Sequence, residues 1–129
     1  MSYGERTKVP VERSVAEIQK IVRRYGAHGF QFAEEPGRAG VAFKFAQPLR
    51  MVRFQVEIPD NPQQERQRWR AMALVIKAKL ESGVETFDEA FMPHIVTGVN
   101  GQTIGERLLP EFARVIEEGE MPKLLPEAG

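Results

Sequence analysis

Hydrophobic and polar residues alternate along the middle of the chain, which is the period-two pattern of β-strands. The stretch MVRFQVEI at 51–58 is the clearest case, and its apolar residues fall on one face: Val52, Phe54, Val56 and Ile58. The stretches GFQFAE at 29–34 and VAFKF at 41–45 alternate in the same way. The connections contain Pro36-Gly37 and QPLR, which are short turn sequences that favour antiparallel hairpins. Three consecutive strands are therefore predicted to form an antiparallel meander with one solvent-exposed face.

Apolar residues at a spacing of three or four predict a long helix on each side of these strands. The first is expected to open with the capping box SVAE at 14–17 and to end at Gly26. The second is expected from 62 to about 82, because DN at 60–61 offers two capping residues and Pro62 suits a first helical turn. Its apolar stripe consists of Trp69, Met72, Ala73, Ile76 and Leu80.

The last third of the chain predicts shorter elements. Capping boxes at 86–89 (TFDE) and 103–106 (TIGE) each open a helix. Between them, Asn100-Gly101 is a strong signal for a two-residue hairpin. The last helix is expected to end at Gly119 and to turn an apolar face towards the core, formed by Leu108, Leu109, Phe112, Val115 and Ile116.

This order of elements predicts a single α+β domain over residues 1–129. An α-β-β-β-α unit forms a three-stranded antiparallel meander with two long helices, and additional C-terminal helices with a short hairpin complete the core. Phe30, Phe32, Phe43, Phe45 and Phe54 are expected to be core residues. Residues 1–11 are expected to form a flexible arm and residues 120–129 a tail.

The inventory of chemistry-bearing residues argues against an enzyme. The chain has no Cys, which removes disulfides, thiolate nucleophiles and cysteine zinc sites. It has two histidines, His28 and His94, without metal-ligand spacing, and both are expected to be turn or core residues. Phosphate-binding glycine loops and a GxSxG elbow are also missing from the sequence. We therefore expect a non-enzymatic protein with no cofactor and no metal.

Charge is distributed unevenly along a chain that is neutral as a whole. The 18 basic and 18 acidic side chains cancel, yet residues 1–80 carry 15 basic and 8 acidic groups while residues 81–129 carry 3 and 10. Arg66, Arg70 and Lys77 line one border of the apolar stripe of the second long helix. They are either a polyanion-binding patch or long side chains that cover apolar surface with their stems. Trp69 is expected to anchor the core, although an edge position would allow base stacking.

Several stretches resemble a family of small proteins from tailed phages and prophages. The resemblance rests on RWRAMALVIKAKLE at 68–81, NGQTIGE at 100–106 and MPKLLP at 121–126, together with the opening TKVPVERSVAEIQKIVRRYGA. It implies a phage or prophage setting but brings no activity or site residue to this chain. The α-β-β-β-α order is also that of double-stranded-RNA-binding domains, and element order alone does not establish function.

The leading hypothesis is a nucleic-acid-binding module for single-stranded DNA or RNA in phage replication or recombination. Basic side chains would neutralise phosphates without reading bases, and the predicted contacts are Lys44, Arg50, Arg53, Arg66, Arg70 and Lys77. The alternative is a protein-interaction module that binds a host or phage protein through its acidic half. A virion or assembly component is a third interpretation. A cytoplasmic location without membrane contact is expected, in the host cell if a phage encodes the protein. The sequence does not indicate an oligomeric state.

Overall fold

The computed structural model describes residues 9–117, apart from the side chains of residues 113 and 115. The elements are α1 (Val11–Arg24), β1 (Gly29–Glu35), β2 (Arg38–Ala46), β3 (Leu49–Glu57), α2 (Pro62–Glu81), α3 (Phe87–Phe91), a 3-10 turn (Met92–His94) and α4 (Ile104–Glu117). This order confirms the predicted α+β class. The predicted tail and residues 1–8 of the predicted arm lie outside the described residues, and Val11 belongs to α1 rather than to the arm.

α1 begins three residues before the predicted capping box. Pro10 has the extended backbone of an N-terminal cap, and its carbonyl oxygen accepts a hydrogen bond from the N–H of Ser14 at 3.2 Å. Ser14 is therefore inside the helix and fully buried, so the predicted start of this helix is wrong. Glu17, the other half of the predicted box, forms an ion pair with Arg70 of α2 instead.

The three strands pair in sequence order as an antiparallel meander, as predicted. Phe43 on β2 lies opposite Phe30 on β1 and Val52 on β3, so the register gathers the apolar residues on one face. Pro36 and Gly37 form the first turn. Gly37 has a φ of 87°, and a type II turn requires this positive value at its third residue.

α1 and α2 cover the apolar face of the sheet. The core confirms the predicted burial of Phe43, Phe54, Trp69 and Ile76, which pack together with Ile18, Ile21 and Val22 of α1. Phe32 departs from the prediction because β1 is an edge strand. Its side chain is 41% exposed, although its ring lies 5.5 Å from the ring of Trp69.

The C-terminal turns and caps follow the sequence closely. Within 86–89 and within 103–106, threonine and glutamate side chains each accept a hydrogen bond from the other residue's backbone N–H. Asn100 and Gly101 both have positive φ, at 53° and 67°, as the predicted hairpin requires. This hairpin adjoins the outer edge of β3, where the N–H of Val96 donates to the carbonyl oxygen of Met51 at 2.8 Å.

α3 adds the fully buried Phe91 to the core, whereas α4 does not complete it. Ile104 in the first turn of α4 packs against the core, and the helix contacts the 3-10 turn. Beyond that turn, the four large apolar side chains that the structure describes face solvent, so their predicted packing against the core is wrong, while the side chain of Val115 lies outside the described residues. Their exposed fractions are 56% for Leu108, 69% for Leu109, 59% for Phe112 and 61% for Ile116.

Candidate functional site

The six residues predicted to contact nucleic acid do not form one surface. Strand alternation places Lys44 and Arg53 on the outer face of the sheet, away from the helices. Arg50 lies near the start of β3, where it and Lys44 border one depression of about 720 Å³. The other three residues belong to α2, which packs on the opposite face of the sheet: Arg66, Arg70 and Lys77. A single strand of nucleic acid would have to pass around the sheet to contact all six.

Arg50 is tied to α3 by a two-pronged ion pair. Its Nε and Nη2 atoms each donate to one carboxylate oxygen of Asp88 at 2.9 Å, and Nη1 donates to the carbonyl oxygen of Leu49 at 2.8 Å. The hydrogen bonds from Arg50 hold the pKa of Asp88 below its ordinary value. The positive charge of Arg50 is therefore matched within the fold, and its guanidinium is largely occupied.

Arg53 fastens the hairpin and the start of α4 to β3. Its Nη1 donates to the carbonyl oxygen of Gly101 at 2.8 Å, and its Nη2 pairs with the carboxylate of Glu106. The pKa of Glu106 is lowered first by the backbone N–H of Thr103 and further by Arg53. Since Arg53 has this structural partner and little exposed surface, its position argues against a phosphate contact.

The basic border of α2 is also partly neutralised. Arg70 pairs with Glu17 of α1, and Arg66 donates to the side-chain oxygen of Gln63 at 2.6 Å. Lys77 is exposed, and no ion pair involves it within residues 9–117. Of the three α2 residues, Arg70 alone has a carboxylate partner. The hydrogen bond of Arg66 goes to a neutral amide, so Arg66 and Lys77 both carry charges that no ion pair matches among the described contacts.

A basic stripe on α1 was not among the surfaces predicted from the sequence. Arg13, Lys20 and Arg24 are separated by seven and four residues, so they share one side of the helix. All three are exposed, and none takes part in an ion pair within the described part of the chain. Their spacing could have revealed this surface, which is called the α1 basic stripe below.

The exposed apolar face of α4 is the other unusual surface. Leu108, Phe112 and Ile116 recur every four residues, and Leu109 borders them. The charged side chains occupy the remaining sides of the helix. Sequence periodicity identified this face correctly but assigned it to the core.

Residues 9–117 contain both histidines of the chain, and no group of three or more potential metal ligands occurs there. His94 is half-buried, and its ring stacks on that of Phe54 with centroids 3.9 Å apart. Burial and the charge of Lys79 lower the pKa of His94. A hydrogen bond to the backbone of Arg53 raises it by less, so the pKa lies below its ordinary value. His28 is exposed. The expectation of a non-enzymatic protein stays a prediction.

Comparisons with known proteins return no relative from which a function could be transferred. No family model, no curated protein and no solved structure matches the chain. Within the described residues, none of the helices has the length and apolar character needed to cross a membrane. Function is therefore inferred from the surfaces described above.

Proposed function

We propose that this protein is a non-enzymatic protein-interaction module and that the apolar face of α4 is a binding surface. The supporting observation is the exposure of Leu108, Leu109, Phe112 and Ile116 on one helix. Removing such side chains from water is favourable by about 25 cal/mol per Å². Apolar helix faces are a recurring means of protein recognition. In a phage setting, which the sequence resemblance implies, the partner would be a phage or host protein.

Two features set this face apart from the single exposed hydrophobic residues found on most proteins. Its side chains are contiguous along about two and a half turns of one helix, and charged residues flank them. The first turn of α4 is also held in place by the Thr103–Glu106 capping box and by Arg53. A rigid helix start lowers the entropy that binding would otherwise cost.

The test compares two leucines of nearly equal exposure. Leu109→Gln removes one side chain of the α4 face, and Leu49→Gln is the matched control at the start of β3, where the leucine is 65% exposed. Gln has a helix propensity close to that of Leu, so α4 should persist. Proteins captured from a host extract are identified, purified and titrated against each variant. We expect at least tenfold weaker binding for Leu109→Gln than for the control.

An identified partner that binds Leu109→Gln as tightly as Leu49→Gln would refute the assignment of α4 as the interface. Circular dichroism of both variants checks that the helix content is unchanged. If both variants lose the partner equally, the contact lies elsewhere.

The α1 basic stripe supports a second candidate function, the binding of single-stranded nucleic acid. Three unmatched cations on one helix side resemble the phosphate-neutralising surfaces of sequence-independent binders. This candidate keeps the hypothesis drawn from the sequence but moves the contacts from β2, β3 and α2 to α1. It would also leave the ion pairs of Arg50, Arg53 and Arg70 intact.

Fluorescence anisotropy with a labelled single-stranded oligonucleotide at two salt concentrations tests this candidate. Replacing the α1 basic stripe with Gln should abolish most of the binding, whereas replacing Arg66, Arg70 and Lys77 with Gln should weaken it less. Three phosphate contacts predict a salt slope of about 2 on a logarithmic scale. If only the α2 variant lost oligonucleotide binding, the contacts would lie on α2, as the sequence predicted. An absence of binding at low salt would eliminate the nucleic-acid function.

A further inference from the structure

We infer that the groove between the N-terminal halves of α1 and α2 binds an extended peptide that carries both basic and apolar side chains. The groove has a volume of about 770 Å³, within the usual range of ligand sites. Val11 and Val15 of α1, Pro62 of α2 and Phe32 of β1 supply its apolar lining. The site is separate from α4 and does not depend on the proposed function.

Unmatched negative charge is concentrated at this groove. Seven carboxylates lie within residues 9–80, and three of them, Glu17, Glu35 and Glu57, are in ion pairs. Four therefore remain without an ion-pair partner in the described structure. Three of these four line the groove: Glu12 on α1, Glu34 on β1 and Glu65 on α2.

The gathering of carboxylates is unexpected because it occurs in the basic part of the chain. Among the described residues that line the groove, Arg66 is the only basic one, so the lining holds three carboxylates and one guanidinium, which donates to the neutral amide of Gln63. The α1 basic stripe lies along a different side of the same helix from Glu12 and Val15. α1 thus separates its charges, with the acidic and apolar side turned to the groove. A cationic ligand fits this charge distribution.

The backbone beside the groove identifies the ligand as a peptide. Within residues 9–117, β1 pairs with β2 alone, so its outer edge has no partner strand. The opposite edge of the sheet, on β3, is bonded to the segment that begins at Ile95. An exposed edge offers N–H and C=O groups to an added strand, which is an established mode of peptide recognition.

An added strand also explains how the groove could bind the apolar and the basic side chains of one peptide at the same time. Phe32 and Glu34 are two residues apart on β1, so both side chains point to the side covered by the helices. Every second side chain of the peptide would point to the same side. A central apolar residue would then lie over the half-exposed Phe32, whose ring contacts Trp69, and basic residues before and after it would face the carboxylates.

A synthetic peptide of sequence Thr-Lys-Thr-Leu-Thr-Lys-Thr provides the probe, because its Lys, Leu and Lys side chains share one face. Fluorescence anisotropy with the full chain should give saturable binding. A peptide with Glu in place of both Lys should bind at least tenfold more weakly. Replacing Glu12, Glu34 and Glu65 with Gln should also weaken the Lys peptide at least tenfold.

The matched control changes three exposed glutamates that do not line the groove: Glu81, Glu85 and Glu117. It alters the net charge equally, so equal weakening in both triple variants would show long-range attraction and overturn the site. Amide exchange measured by NMR supplies a second readout. Bound peptide should slow the exchange of outward amides between Gly29 and Glu35, and binding without this protection would overturn strand addition. Leu109→Gln should leave peptide binding unchanged, which separates this site from the α4 surface.

Discussion

The clearest test of the structure compares two phenylalanines that the sequence treats alike. Both Phe54 and Phe112 lie on apolar stripes, but Phe54 is 6% exposed and Phe112 is 59% exposed. The ring of Phe54 also contacts three other rings, those of Phe43, Phe91 and His94. Each is replaced with Ala.

The expected costs differ several-fold. Removing a buried phenylalanine costs about 3–5 kcal/mol, and the loss of its ring contacts favours the upper part of that range. At about 2 cal/mol/K of unfolding entropy per residue, this lowers the melting temperature by roughly 12–19 °C. Phe112→Ala should change the free energy of unfolding by less than about 1 kcal/mol, because its side chain is already in water and Ala favours helix.

Urea denaturation followed by circular dichroism measures both variants at low protein concentration, where association contributes little. The m-values should stay equal, so that a change in midpoint reports stability alone. If Phe112→Ala is destabilised as much as Phe54→Ala, α4 packs against the domain in solution. That result would remove the surface on which the proposed function depends.

Three further predictions concern stability. Burial lowers the pKa of His94, so the unfolded chain takes up a proton that the folded chain resists; the free energy of unfolding should fall as pH drops below about 6.5. His94→Gln should remove this step and leave the later acid loss below about pH 4.5, and an unchanged profile would contradict the assignment. Gly40→Ala should cost about 1–3 kcal/mol, since the new Cβ would lie 2.8 Å from the carbonyl oxygen of Phe54. Gly98→Ala, with open space around it, is the control, and an equal effect of the two would refute the steric argument. Thr103→Ala should cost about 1 kcal/mol and speed amide exchange in α4 but not in the sheet.

Local features of this protein were predictable because they depend on residues close together in the chain. Alternation located the three strands, and the turn at Pro36-Gly37, the hairpin at Asn100-Gly101 and two of the three capping boxes follow from neighbouring residues. The third capping box failed for an equally local reason. Pro10 caps α1 four residues earlier than predicted, so Ser14 lies inside the helix rather than at its start.

The candidate sites were harder to predict because charges are matched across long distances in sequence. Arg50 meets Asp88 38 positions away, and Arg53 meets Glu106 53 positions away. Composition shows how many charges the chain carries, but pairing depends on which elements the fold brings together. The sequence therefore overestimated the number of basic residues available to a ligand.

The sequence by itself determined the class of fold, the order of its elements and the apolar face of each one, since periodicity fixes which residues share a side. Only the tertiary structure decided what each face meets. The same helical spacing buries Trp69 and Ile76 on α2 but leaves Leu109 and Phe112 on α4 in solvent. The groove beside β1 likewise exists only where three elements converge, because Glu12, Glu34 and Glu65 are separated in sequence and become neighbours through packing.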